Sequence, residues 1–155
     1  MNDFDKSNYN TWGERVVLLP ELDDKATRRN ARAVLNRFRS YARMAGRPLV
    51  EIKSPTIDDM PKAQAYGNSA EKRIVGIINA QVEIDKIQQA MSFLSFDNYW
   101  VLYYSYFTPK PLSNDEISKL IKVATDKTVD YRKAKALIQF AEAYPGQSLL
   151  VWKQN

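Results

Sequence analysis

An all-α fold is what the sequence predicts, and three stretches carry that expectation. Residues 24–45 segregate apolar from basic groups at helical spacing, residues 77–94 repeat apolar groups in steps of three and four, and residues 112–144 divide into two short amphipathic segments joined by a tight turn. Apolar groups recurring every three to four positions turn one face of a helix towards a core, whereas a half-buried strand alternates every second residue. At 155 residues the chain suits one compact domain, or a small domain with a helical appendage.

Composition removes whole classes of chemistry. The chain has no cysteine and no histidine, so disulfides, thiolate zinc sites, histidine-ligated metals and Ser-His or Cys-His nucleophile pairs are all excluded. An enzyme would have to use a carboxylate–metal site or a lysine base, and the acidic pairs Asp23-Asp24, Asp58-Asp59 and Asp115-Glu116 read instead as helix starts or loops. No catalysis, metal or cofactor is expected. The net charge of +5 and pI near 9.3 favour a polyanionic partner. No apolar run approaches the ~20 residues that span a bilayer. The start, MNDFDKSNYN, carries acids and lacks the apolar segment of a signal peptide, so a cytoplasmic location is expected.

In chain order, residues 1–13 are polar, with Trp12 as a candidate anchor. Residues 16–19 form an apolar strip that reads as a short strand or a strap. Asp23 or Asp24 caps a helix running to about Ala45. Its apolar side is Ala31, Val34, Leu35, Phe38, Tyr41, Ala42 and Ala45, and its basic side is Lys25, Arg29, Arg32, Arg43 and Arg47, flanked by Arg28, Arg37 and Arg39. A solvated face is the usual fate of such charges. Eight cations without one acid between positions 25 and 47 repel one another, however, which favours a phosphate-facing role over a membrane surface, because the apolar side is rich in alanine. Residues 48–68, with Pro48, Pro55 and Pro61, read as a linker between a basic module at 1–47 and a second unit at 69–155.

Asn68 and Glu71 have capping-box spacing at the head of the next helix, which runs to about Leu94. Its seam, Ile77, Ala80, Ile84, Ile87, Met91 and Leu94, is heptad-like but short, so packing within its own domain is favoured over a dimer interface. Ser95 opens FDNYWVLYYSYF, apolar nearly all round, and a helix of that kind is expected at the buried centre of a bundle rather than as a platform for unpaired bases. Ser113 and Glu116 form a second capping box, with Ile117, Leu120 and Ile121 on one face. The following helix starts at Thr125 or Asp126. It buries Val129, Ala136, Leu137, Phe140 and Tyr144 and leaves Lys127, Tyr131, Ala134 and Lys135 on the opposite side. Such a pair fits a DNA-binding helix-turn-helix and an ordinary helical hairpin equally well. Pro145-Gly146 ends it, and residues 148–152 read as a strand or a tail packed on the bundle.

Three stretches, taken together, resemble the ArpU family of phage-encoded transcriptional regulators: LPELDDKATRRNAR, SPTIDDMPKAQAYGNSAEKRI, and YFTPKPLSNDEISKLI followed by KALIQFAEAY. The resemblance spans residues 19–152. It implies a C-terminal unit like the fourth region of bacterial sigma factors, which reads promoter DNA with a helix-turn-helix, and a role in late phage transcription, packaging and lysis, including regulation of autolysin. The expectation is therefore a basic N-terminal helix followed by a sigma-like bundle. Lys127, Thr128, Tyr131 and Lys135 would face bases in double-stranded DNA, while Arg132, Lys133, Ser113, Asn114, Arg29, Arg32 and Arg43 would face phosphate. The nucleoid of the bacterial host is the implied location. The alternative is an interaction protein that docks on host RNA polymerase or on a small-terminase-like packaging complex without reading bases. Two positions depart from the family pattern: the turn between residues 120 and 129 is a residue longer and lacks glycine, and Arg132 stands at an inward position usually held by an apolar residue. Either the register of the second helix shifts or Arg132 snorkels out to phosphate.

Overall fold

The computed structural model describes residues 20–49 and 68–154. The expectations for Trp12, for residues 16–19 and for nearly all of the linker at 48–68 lie outside them. The described residues are helical, and their one β-feature is an isolated antiparallel bridge between Leu22 and Trp152.

Helix α1 (Asp24–Asn36) starts where the Asp23 carboxylate accepts the Ala26 N–H at 3.0 Å, satisfying one of the donors that every helix start leaves open. The single helix expected to run to Ala45 is interrupted at Arg37, where α1 gives way to α2 (Phe38–Met44). The Arg37 N–H bonds the carbonyl of Val34, three residues back, and the Tyr41 N–H then resumes four-residue bonding to Arg37. The break is thus one tightened turn, and the apolar side stays continuous, with Ala31, Leu35, Phe38 and Ala42 all buried. Gly46 ends α2 with φ +69°, and the Arg47 N–H bonds back to the Ala42 carbonyl at 2.8 Å, the arrangement in which a left-handed residue closes a helix C-terminus.

Helix α3 (Asn68–Ser92) lies against α2 and against α6 (Asp126–Ala143), and the residues expected to form its seam are core: Ala80, Ile84, Ile87 and Met91 are buried. That burial corrects the oligomer interface offered for Ile77 to Leu94, because a side already filled by its own domain has no apolar area left for a second chain. Helix α4 (Phe96–Leu102) widens into a π-turn at Tyr103–Phe107, and the carbonyls of Ser105 within it and of Thr108 just after it accept from the Arg39 guanidinium at 3.3 and 2.8 Å. Arg39, placed by the sequence beside the basic stripe, is therefore turned inward to a helix C-terminus, where a cation is favourable. Ser95 precedes α4 but does not cap it; its hydroxyl lies 3.5 Å from the Gln139 side-chain oxygen, which also accepts from Asn98 at 2.8 Å.

The central element is α6 (Asp126–Ala143), not the aromatic helix. It packs on α1, α3, α4 and α5 (Asn114–Leu120). α4 does bury Val101 and Leu102, and Tyr106 and Phe107 follow in its π-turn, but Phe96 at its start is 78% exposed. Phe140, Leu137 and Ala136 of α6 meet Leu35, Phe38, Ile84, Ile87 and Leu102 in the main core. A smaller core of Val101, Ile117 and Val129, edged by Leu112, Ile121, Val123 and Tyr104, holds α5 (Asn114–Leu120) against the first turns of α6. Two separate cores therefore fix the two halves of one helix, and its outward side is set by both. Leu120, expected to face inward with Ile117 and Ile121, is half exposed.

Both capping predictions around the helix pair hold. The Ser113 N–H donates to the Glu116 carboxylate at 2.7 Å while the Ser113 hydroxyl oxygen accepts the Glu116 N–H, and Thr125 caps α6 through the Thr128 N–H. The missing glycine is explained by Lys122, which adopts φ +56° two residues past the end of α5, with the Val123 N–H bonding back to the Ser118 carbonyl at 3.0 Å. This is the closure that Gly46 makes after α2, built on a residue with a Cβ. A left-handed conformation costs an L-residue roughly 1–2 kcal/mol. Lys122→Gly is accordingly expected to stabilise the fold by up to about 1 kcal/mol, raising the melting temperature by about 2–4 °C. Thermal denaturation followed by circular dichroism reads this directly, and Lys122→Val should move it the other way.

The C-terminal tail closes the fold over α1. Its partner is the strand-like stretch at 21–23: the Asp23 N–H bonds Val151 at 2.7 Å and the Lys153 N–H bonds Glu21 at 2.8 Å. Thr27 is buried because its hydroxyl accepts the Val151 N–H at 3.0 Å, and Asn30 donates to the Leu149 carbonyl.

Candidate nucleic-acid interface

The outer side of α6 presents Lys127, Tyr131 and Lys135 to solvent. These positions are one turn apart, and α6 cannot rotate them away because Val129, Leu137 and Phe140 are fully buried on the other side. The Lys135 ammonium stands 4.6 Å from the centre of the Tyr131 ring, a cation–π contact that holds both side chains over one patch. Tyr131 is 61% exposed despite its large apolar ring. Thr128 is half-buried, and its hydroxyl lies 3.1 Å from that of Thr125, inside the cap of the helix.

The residues assigned to phosphate divide into two groups. Arg29, Arg32 and Arg43 are exposed on α1 and α2. Arg132 reaches Asp97 near the start of α4 at 3.4 Å, with about a third of its side chain exposed. Lys133 is turned in, with its ammonium donating to Asn114 at 2.8 Å, and Asn114 in turn donates to Asp130. Burial holds the Lys133 pKa below the ordinary lysine range and nearby Arg32 adds to that, while Asp130 opposes it. The Ser113 hydroxyl is 3.0 Å from the Glu116 carboxylate. Asn114, Asp130 and Lys133 thus form a polar seam between α5 and α6, while Ser113 stays exposed at the head of α5.

Arg32 links the two basic regions. It lies beside the Tyr106 hydroxyl, whose pKa burial raises and Arg32 pulls down, and it is close enough to Lys133 to disfavour its charge. The stripe of α1 and the flank of α6 are therefore neighbours, because α1 packs along α6. The periodicity of either helix alone does not show this. Sequence reasoning also missed Asp130, an exposed acid on α6 tied to Asn114. Its spacing, sixteen residues from Asn114, carries no local signal. Among the described residues no group of three or more acids could hold a metal ion, and no helix is long and apolar enough to cross a membrane.

The fold and this surface define a class: a small all-α protein whose central helix, anchored on two cores, offers a cationic and aromatic side beside a second basic helix. Over 138 residues, 89% of this chain and the whole of the relative, the sequence is 44% identical to the Enterococcus hirae protein named "Putative autolysin regulatory protein ArpU". The chain belongs to the ArpU family. No family model matches the chain, and no solved structure matches it.

Proposed function

We propose that the protein is a sequence-specific DNA-binding transcriptional regulator, an activator of late phage genes, which reads double-stranded DNA with the outer side of α6. The name of its E. hirae relative, an autolysin regulatory protein, supports a regulatory role without catalysis. The observation that carries the DNA reading is the exposed Lys127, Tyr131 and Lys135 face of a helix that two buried clusters hold in register. Lysine and tyrosine donors on such a face suit base edges in a major groove, with α5 crossing the backbone. Thr128 would assist at the start of the helix, where its hydroxyl can share a bond with a base or phosphate. Arg29, Arg32 and Arg43 would lie along phosphates, joined by Arg132 if it exchanges Asp97 for one. Asn114 and Lys133 would position α5 on α6 and meet phosphate only at their outer edge, with the exposed Ser113 hydroxyl beside them at the head of α5. The protein would act on the host nucleoid, in the cytoplasm.

A second reading has its own support. Phe93 and Phe96 are 71% and 78% exposed at the corner between α3 and α4, and apolar rings in water favour a protein partner such as RNA polymerase or a packaging complex. Footprinting on phage late-promoter DNA, with and without polymerase, separates the two. Protection of a defined site by the protein alone is the expected result, and protection only in the presence of polymerase would establish docking instead.

The basic stripe gives an independent test. Replacing Arg29, Arg32 and Arg43 with glutamine should weaken binding about equally on all sequences and reduce the salt dependence by about 0.9 log units per lost phosphate contact. An unchanged salt slope in a filter-binding titration would return these residues to a solvated surface.

A further inference from the structure

Helix α3 is apolar on two sides. One side, from Ala80 to Met91, is core. On the nearly opposite side Ile74, Val75, Ile78 and Val82 are between 37% and 54% exposed, and at about 100° of rotation per residue Val75, Ile78 and Val82 fall on one line. A helix with two apolar sides has two partners, and the described fold supplies one.

We propose that the second partner is another copy of this chain, with two α3 helices pairing antiparallel about a two-fold axis close to Ile78. Charge selects that geometry. A parallel pair would stack Glu71 on Glu71 and Asp85 on Asp85. Antiparallel pairing sets Val75 against the partner's Val82 and Glu71 against the partner's Lys86, while Asp85, at the same end, is already paired to Arg47 at 3.6 Å. The Lys86 ammonium is held at that end by Glu83 at 2.8 Å and is one-third exposed, so it can meet a second carboxylate. A seam of four apolar residues is far smaller than the roughly 20–30 residues a side of a standard interface. The dimer is therefore weak and concentration-dependent, and a symmetric, isologous contact of this kind closes on itself without forming fibres.

Sedimentation velocity of the full chain across the micromolar range reads the proposal independently of any DNA. The wild type should move from monomer towards dimer as concentration rises. Ile78→Asp should weaken the association by at least about tenfold and keep the wild-type melting temperature. Glu71→Lys and Lys86→Glu should each weaken self-association, and mixing the two should restore a dimer, since every opposed pair is then attractive. A wild type that stays monomeric throughout would overturn the proposal. So would an Ile78→Asp variant that melts well below wild type, which would show that this side is covered by the chain itself. Failure of the mixed variants to associate would overturn the antiparallel register.

Discussion

Replacing Tyr131 and Lys135 together by alanine is expected to leave the protein folded and abolish its preference for a cognate operator. Both side chains are exposed on α6, and substitutions at such positions usually change stability by less than about 0.5 kcal/mol. Their mutual cation–π contact at 4.6 Å adds about 0.5–1 kcal/mol at an exposed site, so the melting temperature should fall by a few degrees at most. A base-reading side chain, in contrast, carries about 1–3 kcal/mol of discrimination, which is about fivefold to more than a hundredfold for each residue. Non-specific binding should largely survive, because Arg29, Arg32 and Arg43 are untouched. Competition between operator and random DNA measures the ratio. A double variant that discriminates as well as wild type would transfer the function to docking, with Phe93 and Phe96 as its surface.

The second large effect concerns stability. Ile84→Asp should unfold the protein, because Ile84 is 1% exposed in the main core beside Ile87, Leu102 and Phe140, and no cation faces it from within that cluster. Burying an unpaired carboxylate costs several kcal/mol, comparable with the about 5–15 kcal/mol that holds a whole domain together. Circular dichroism should show loss of helix at ordinary temperature. Six residues earlier, Ile78→Asp should leave the helix content intact, so the pair distinguishes the two sides of α3 within one experiment. If Ile84→Asp instead gave a folded monomer, the core assignment of this seam would fail.

The sequence by itself determined the all-α class, the inward residues of α6 and the two caps of the helix pair. These depend on local causes: periodicity of apolar groups, and a side-chain oxygen within three residues of an open N–H, as at Ser113 and Thr125. It also located the basic stripe and left two outcomes open for Arg132. What only the tertiary structure decided is which helix is central and what each cation faces. The near-continuous apolar run of α4 reads as the most buried helix, yet α6 is central because α1, from the other end of the described chain, packs along it, and the tail at 149–152 bonds back onto α1 across more than a hundred residues. Arg39 and Lys133 are ordinary surface cations in the sequence. One is drawn to the carbonyls ending the π-turn and the other to Asn114, contacts separated by 69 and 19 residues that no local pattern encodes. The same holds for Lys122, where the need for a left-handed residue arises from how α5 must close to bring Ile117 and Val129 into one small core.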